Sequence, residues 1–193
     1  MNTDGIQNSS SPAKAIRKEF FAFRNGIVAD KLRKAGDPHK TIMGCLLVDI
    51  TSITGRLRET IGNSDELAAL AQELWSDTNS RECRLAAPML YPAEAMSKEQ
   101  AQQWGESVET VEIADNLCHK LLRHINGAND LYPLLIKEEN TLVKYTGYRL
   151  LLNLILLGKV KPTESLKATI VSESEQAQTP LAALLRDILE EFD

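Results

Sequence analysis

Aromatic residues are scarce in this chain, at 5% of 193 residues. Leu and Ala dominate its apolar content, a bias that favours helices over sheets. No segment shows sustained period-two alternation, so an all-β or mixed fold has no support. Long hydrophobic runs are lacking too. The longest, Leu150 to Leu157, is interrupted by Asn153 and stops at Gly158, far short of the ~20 apolar residues of a membrane span. The first residues, Met1 to Ser11, carry neither the basic nor the apolar segment of a secretory signal. A soluble, cytoplasmic protein with no membrane association is the expectation.

Cysteine is sparse. Cys45, Cys83 and Cys118 are odd in number, far apart and set in apolar helical patterns, and they read as buried reduced thiols. No Cys-x-x-Cys or His-x-x-x-His spacing exists for a metal. His119 and His124 are five apart and miss a common helical face. No phosphate loop or nucleophile elbow occurs. No metal and no cofactor are expected.

The remaining composition, 43% hydrophobic and 25% charged, is that of an ordinary globular domain. Met1 to Ser11 reads as a disordered lead and residues 12–193 as one domain. Helix starts are well marked. Ser11-Pro12, Asp37-Pro38 and Thr179-Pro180 are cap-plus-proline entries. Asn79 to Glu82 and Ser97 to Gln100 resemble capping boxes. The patterning predicts helices from Pro12 through the three phenylalanines and over Asn25–Lys34. A longer helix carries Ile42 to Ile61, broken if anywhere at Gly44 or Gly55. Others cover Ser64–Trp75, a helix to Leu90 kinked or cut short by Pro88, and the segment ending at Trp104. The rest cover Thr110–Ile125, Asp130–Ile136, Thr141–Leu157, Thr163–Ser174 and Thr179–Phe192. Short helices with tight connections predict an all-α fold, an α-solenoid of antiparallel helix pairs of HEAT-like or ARM type. Trp75 and Trp104 read as core anchors at helix ends, and Arg81 and Arg84 as structural arginines.

Net charge is −5 but unevenly spread. Lys14 to Lys40 holds eight basic and three acidic residues, a net +5. The cluster Arg24, Lys31, Arg33 and Lys34 reads either as a solvated helix face or as an anion-binding edge. The acidity of the rest opposes general nucleic-acid coating.

Motif order adds a resemblance. Leu74-Trp75, Arg81-Glu82-Cys83-Arg84-Leu85-Ala86-Ala87, Met96-Ser97, Gln100 to Trp104 and Val111-Glu112-Ile113-Ala114-Asp115-Asn116-Leu117-Cys118 follow one another in this chain. Arg24-Asn25-Gly26 and Leu32-Arg33-Lys34-Ala35-Gly36 precede them. In this order they resemble the DNA alkylation repair enzyme family, the AlkD-like glycosylases built from HEAT-like repeats. The resemblance implies binding of alkylated double-stranded DNA and removal of N3- or N7-alkylated purines, without metal or cofactor. It places Asp115 at the family's catalytic aspartate, with Glu112 as a partner or substitute. It puts Val111 where the family has a cleft tryptophan. The second cleft tryptophan is missing, and Lys144 or Arg149 stands at a basic position, with Tyr145 or Tyr148 supplying an aromatic face. A cation–π contact contributes ~0.5–2 kcal/mol, so two lost contacts cost roughly one to three powers of ten in rate. The alternative expectation is a non-catalytic HEAT-like repeat scaffold that binds a protein or nucleic acid.

Overall fold

The computed structural model describes residues 11–192, so the expected lead lies outside the described residues except for Ser11. Among the described residues the regular structure is helical: α1 (Pro12–Ala22), α2 (Gly26–Lys34), α3 (Leu47–Ile61), α4 (Ser64–Trp75), α5 (Arg81–Leu90), α6 (Lys98–Glu106), α7 (Val111–Lys120), α8 (Ala128–Leu135), α9 (Thr141–Leu156), α10 (Glu164–Ser174) and α11 (Leu181–Glu190). Two 3₁₀ turns, Ala93–Ala95 and Leu122–His124, complete it. No described helix is long and apolar enough to cross a membrane.

Polar side chains open most of the helices. Ser11, Asn25, Asn63, Ser97, Thr110, Asn140 and Thr163 each accept a backbone N–H from the first turn of the helix that follows, filling acceptor needs the helix itself leaves open. Gly62 closes α3 in the left-handed region, at φ +62°. The fold comprises two compact units, residues up to Leu90 and residues from Tyr91.

In the first unit, α5 packs against α3 and α4, and α1 against α3 and α4. Short connections make successive helices antiparallel pairs. Its core includes Ile16, Phe20, Ile50, Ile53, Leu74 and Leu85, each almost fully buried. Trp75 is buried as expected, with the Arg84 guanidinium 3.5 Å over its ring and donating to its carbonyl at 2.6 Å. In the second unit, α9 packs against α6, α7, α8 and α11, and α10 against α11. Trp104 is buried there, edge-on to Tyr91 at 5.4 Å. All three cysteines are free and buried. Burial, then the nearby Glu82, pushes the Cys45 thiol up to about 12, and burial raises Cys83 and Cys118 also. None is an activated nucleophile.

Several boundaries differ from the sequence reading. The helix expected from Asp37-Pro38 starts only at Leu47. The reason is Glu82. Its fully buried carboxylate accepts the backbone N–H groups of Met43 (3.1 Å), Gly44 (2.9 Å) and Cys45 (3.3 Å), and Arg81 pairs with it at 3.0 Å. Those amides are therefore unavailable to a helix. Gly44 has φ +76°, and a Cβ there would collide with the backbone of Asn25 and lie 2.6 Å from the Ala29 nitrogen. Gly55, by contrast, lies inside α3 without ending it. Glu82 also takes no part in the expected capping box: Ser80 caps α5, its Oγ accepting from the Cys83 N–H at 3.4 Å. Helix α5 continues through Pro88 and ends two residues later. Helix α7 ends at Lys120, and the 3₁₀ turn takes up the rest of its predicted length. Helix α11 starts after Pro180, and Thr179 makes no side-chain cap.

Glu82→Gln is expected to destabilise the first unit by about 3–5 kcal/mol, because it strands the buried Arg81 charge and turns a donor toward backbone N–H groups. A lowered urea midpoint checks this.

Candidate functional site

Helix α7 is short, capped by Thr110, and buries Ile113, Ala114, Leu117 and Cys118. That leaves Asp115 on the flank beside α9, with 38% of its side chain exposed. Helix α9 supplies two partners one turn apart. The Tyr145 hydroxyl donates to Asp115 Oδ1 at 2.9 Å, and Arg149 Nε lies 3.2 Å from the same oxygen. The Arg149 N–H is not aligned for a hydrogen bond, so that contact is electrostatic. Tyr145 and Arg149 are four residues apart and share a face of α9.

Four influences compete at Asp115. Burial raises its proton affinity most, Arg149 and the Tyr145 hydroxyl oppose it, and Glu112 adds a smaller raising effect; the net direction is up. The same carboxylate, after burial, drives the Tyr145 phenol upward, so Tyr145 stays protonated and remains a donor.

The other expected residues are placed differently. Lys144 turns to Glu173 on α10 at 3.0 Å, not to Asp115. Tyr148 is 2% exposed and offers no face to a ligand, and burial pushes its phenol up to about 12. Val111 lies one turn before Asp115 on α7, and both tryptophans are core residues. Asp115, Tyr145 and Arg149 thus meet in the second unit as the candidate site.

The basic cluster lies in the first unit. Arg24 donates to the Phe21 carbonyl at 3.0 Å and stacks over the exposed Phe21 ring at 4.2 Å. Arg33 pairs with Asp30 at 3.2 Å and donates to the Ile42 carbonyl at 3.0 Å. Both line a cavity of about 420 Å³ that also includes Gly26 and Met43. Lys31 and Lys34 close α2 and are exposed, where they complement the helix dipole.

Sequence reasoning tested His119 and His124 only as metal ligands. Among the described residues no group of three or more His, Cys, Asp or Glu is placed to hold a metal. The structure instead brings both histidines to Arg123. The signal was present: no Asp or Glu occurs between Asn116 and Asn129, while His119, Lys120, Arg123 and His124 do.

Since Arg149 and Tyr145 both lower the proton affinity of Asp115, Arg149→Met and Tyr145→Phe are each expected to move its titration to higher pH. Carbon-detected NMR of the Asp115 carboxyl reads the shift directly.

The family profile described as DNA alkylation repair enzyme matches residues 16–189. No curated protein matches the chain significantly. One solved structure is similar at a TM-score of 0.71 and 18% identity, over 92% of this chain and 74% of the other. It is described as a new family of proteins related to the HEAT-like repeat DNA glycosylases with affinity for branched DNA structures. The shared fold is an all-α HEAT-like repeat fold. With the profile spanning almost its whole length, the chain belongs to the DNA alkylation repair enzyme family.

Proposed function

We propose that this protein binds duplex DNA and excises purines alkylated at N3 or N7, with the Asp115 carboxylate stabilising the sugar cation. The observation that carries this reading is the half-exposed Asp115, held from α9 by Tyr145 and Arg149. Alkylation leaves the purine positively charged, which weakens its glycosidic bond. The base departs neutral with the bonding electron pair, positive charge develops on the sugar, and water then adds to the anomeric carbon and releases a proton. A fixed carboxylate beside that carbon lowers the energy of the developing cation. Tyr145 and Arg149 set the position of the carboxylate before substrate arrives. No step requires a metal or cofactor. Protonation of Asp115 removes the charge, so excision is expected to fall at low pH, with the acid limb above the usual aspartate range.

A second reading, a family member that holds DNA without excising a base, is favoured by Val111. No indole stands one turn before Asp115, and both tryptophans are buried. Arg149 also lies 3.2 Å from Asp115 Oδ1 and offsets part of its negative charge.

The deciding measurement is release of methylated purine from methylated duplex. Under the first reading, the wild type releases base and Asp115→Asn slows release about 100-fold or more. Duplex binding without release moves the assignment to the second reading. Absence of binding to any duplex at low salt rejects both and leaves a protein-binding scaffold.

A further inference from the structure

The end of α7 gathers charge of one sign. His119 and Lys120 close the helix, Arg123 and His124 sit in the following 3₁₀ turn, and Lys159 follows α9. Arg123 is the centre. Its Nε donates to His124 Nε2 at 3.0 Å, one terminal nitrogen lies 3.4 Å from His119 Nε2, and Lys159 Nζ donates to the Arg123 carbonyl at 2.7 Å. Among the described residues neither Lys120, Arg123 nor Lys159 forms an ion pair. On α7 itself stand Asp115, engaged by Tyr145 and Arg149, and Glu112 one turn before it, and Asp130 lines a cavity of about 400 Å³ with Lys159, Asn126 and Asn129.

Cations at a helix C-terminus are ordinarily explained by the helix dipole, at about 0.3–1 kcal/mol each. The dipole does not explain a guanidinium whose donors meet two imidazole nitrogens. That arrangement requires both histidines to be neutral, since a proton on either Nε2 removes an acceptor and adds a repelling charge. Burial and then the surrounding cations hold both histidines in that form: Arg123, Lys120, Arg149 and His124 act on His119, and Arg123 and Lys159 on His124. An arriving anion reverses the balance. It draws Arg123 and Lys120 to itself and makes each imidazolium favourable. Position identifies the anion. His119 is one helical turn beyond Asp115 on the same face of α7, about 5–6 Å between Cβ atoms, a separation that suits a backbone phosphate next to a sugar held at Asp115.

We propose that Lys120, Arg123 and Lys159, joined by His119 and His124 in their cationic form, bind a backbone phosphate of DNA, and that DNA binding takes up protons at these two histidines. The proposal rests on the DNA-binding reading and adds to it a phosphate subsite and a proton linkage.

The test uses full-length protein and an unmodified duplex, with affinity measured by fluorescence anisotropy against pH and salt. Affinity is expected to rise several-fold from about pH 8 to about pH 6. The double substitution His119→Gln with His124→Gln is expected to flatten that rise while leaving binding at the alkaline end. Arg123→Gln is expected to reduce the salt slope by about 1. Binding that is independent of pH, or equally dependent in the double variant, overturns the proposal while leaving the DNA reading intact. Absence of duplex binding at every pH rejects the DNA reading. In that event NMR titration of the two imidazoles with inorganic phosphate still judges the subsite: upward movement of both supports it, and unmoved histidines overturn it.

Discussion

Helix α9 has almost no solvent-facing stripe. Val143, Tyr145 through Tyr148 and Leu150 through Ile155 are all buried. A helix apolar around its circumference is stable in water only when neighbours cover it on most sides, and α6, α7, α8 and α11 do so. Gly147 permits part of this closeness, since a Cβ there would lie 2.7 Å from the Ile136 backbone nitrogen. The organisation of the second unit follows from that requirement, and so does its site. Tyr145 and Arg149 are polar groups on a helix otherwise given over to burial, and both meet α7 at Asp115. The carboxylate is thereby set by the most constrained element of the unit and is partly dehydrated by it.

Charge in this protein is decided locally. Among the described residues two of the eight cations from Lys14 to Lys40 are paired with carboxylates of their own unit: Arg17 with Asp77 and Glu73, and Arg33 with Asp30. The remainder of the chain is acidic in sum, yet it contains the cations around Arg123 that have no carboxylate partner among the described residues. Net charge by segment therefore does not reveal the unpaired positive charge around Arg123.

Much of the helical outline was legible because caps are local. Ser11, Asn25, Ser97 and Thr163 each act within three or four residues, where a sequence pattern carries the information. Illegible features were those set by distant groups. The delayed start of α3 depends on Glu82, almost forty residues away, and the true partner of Lys144 is Glu173 on another helix. Asp115, Tyr145 and Arg149 were reached through the order of family motifs, since nothing in their spacing of about thirty residues announces a contact. The histidines were legible as part of a run free of acids, but their meeting with Arg123 was not, since it depends on how the turn after α7 folds back.

The Glu82 carboxylate recognises residues 43–45 by their backbone N–H groups and not by their side chains. Any residue but proline supplies such a donor. Gly44 is restricted in conformation, and the Cys45 side chain is fully buried with its thiol on the Phe20 carbonyl, so Met43 is the position free to change its side chain while the path in space is preserved. At Met43, then, a change of letter leaves the geometry intact, and the path is owed to Glu82 and not to the side chain at that position.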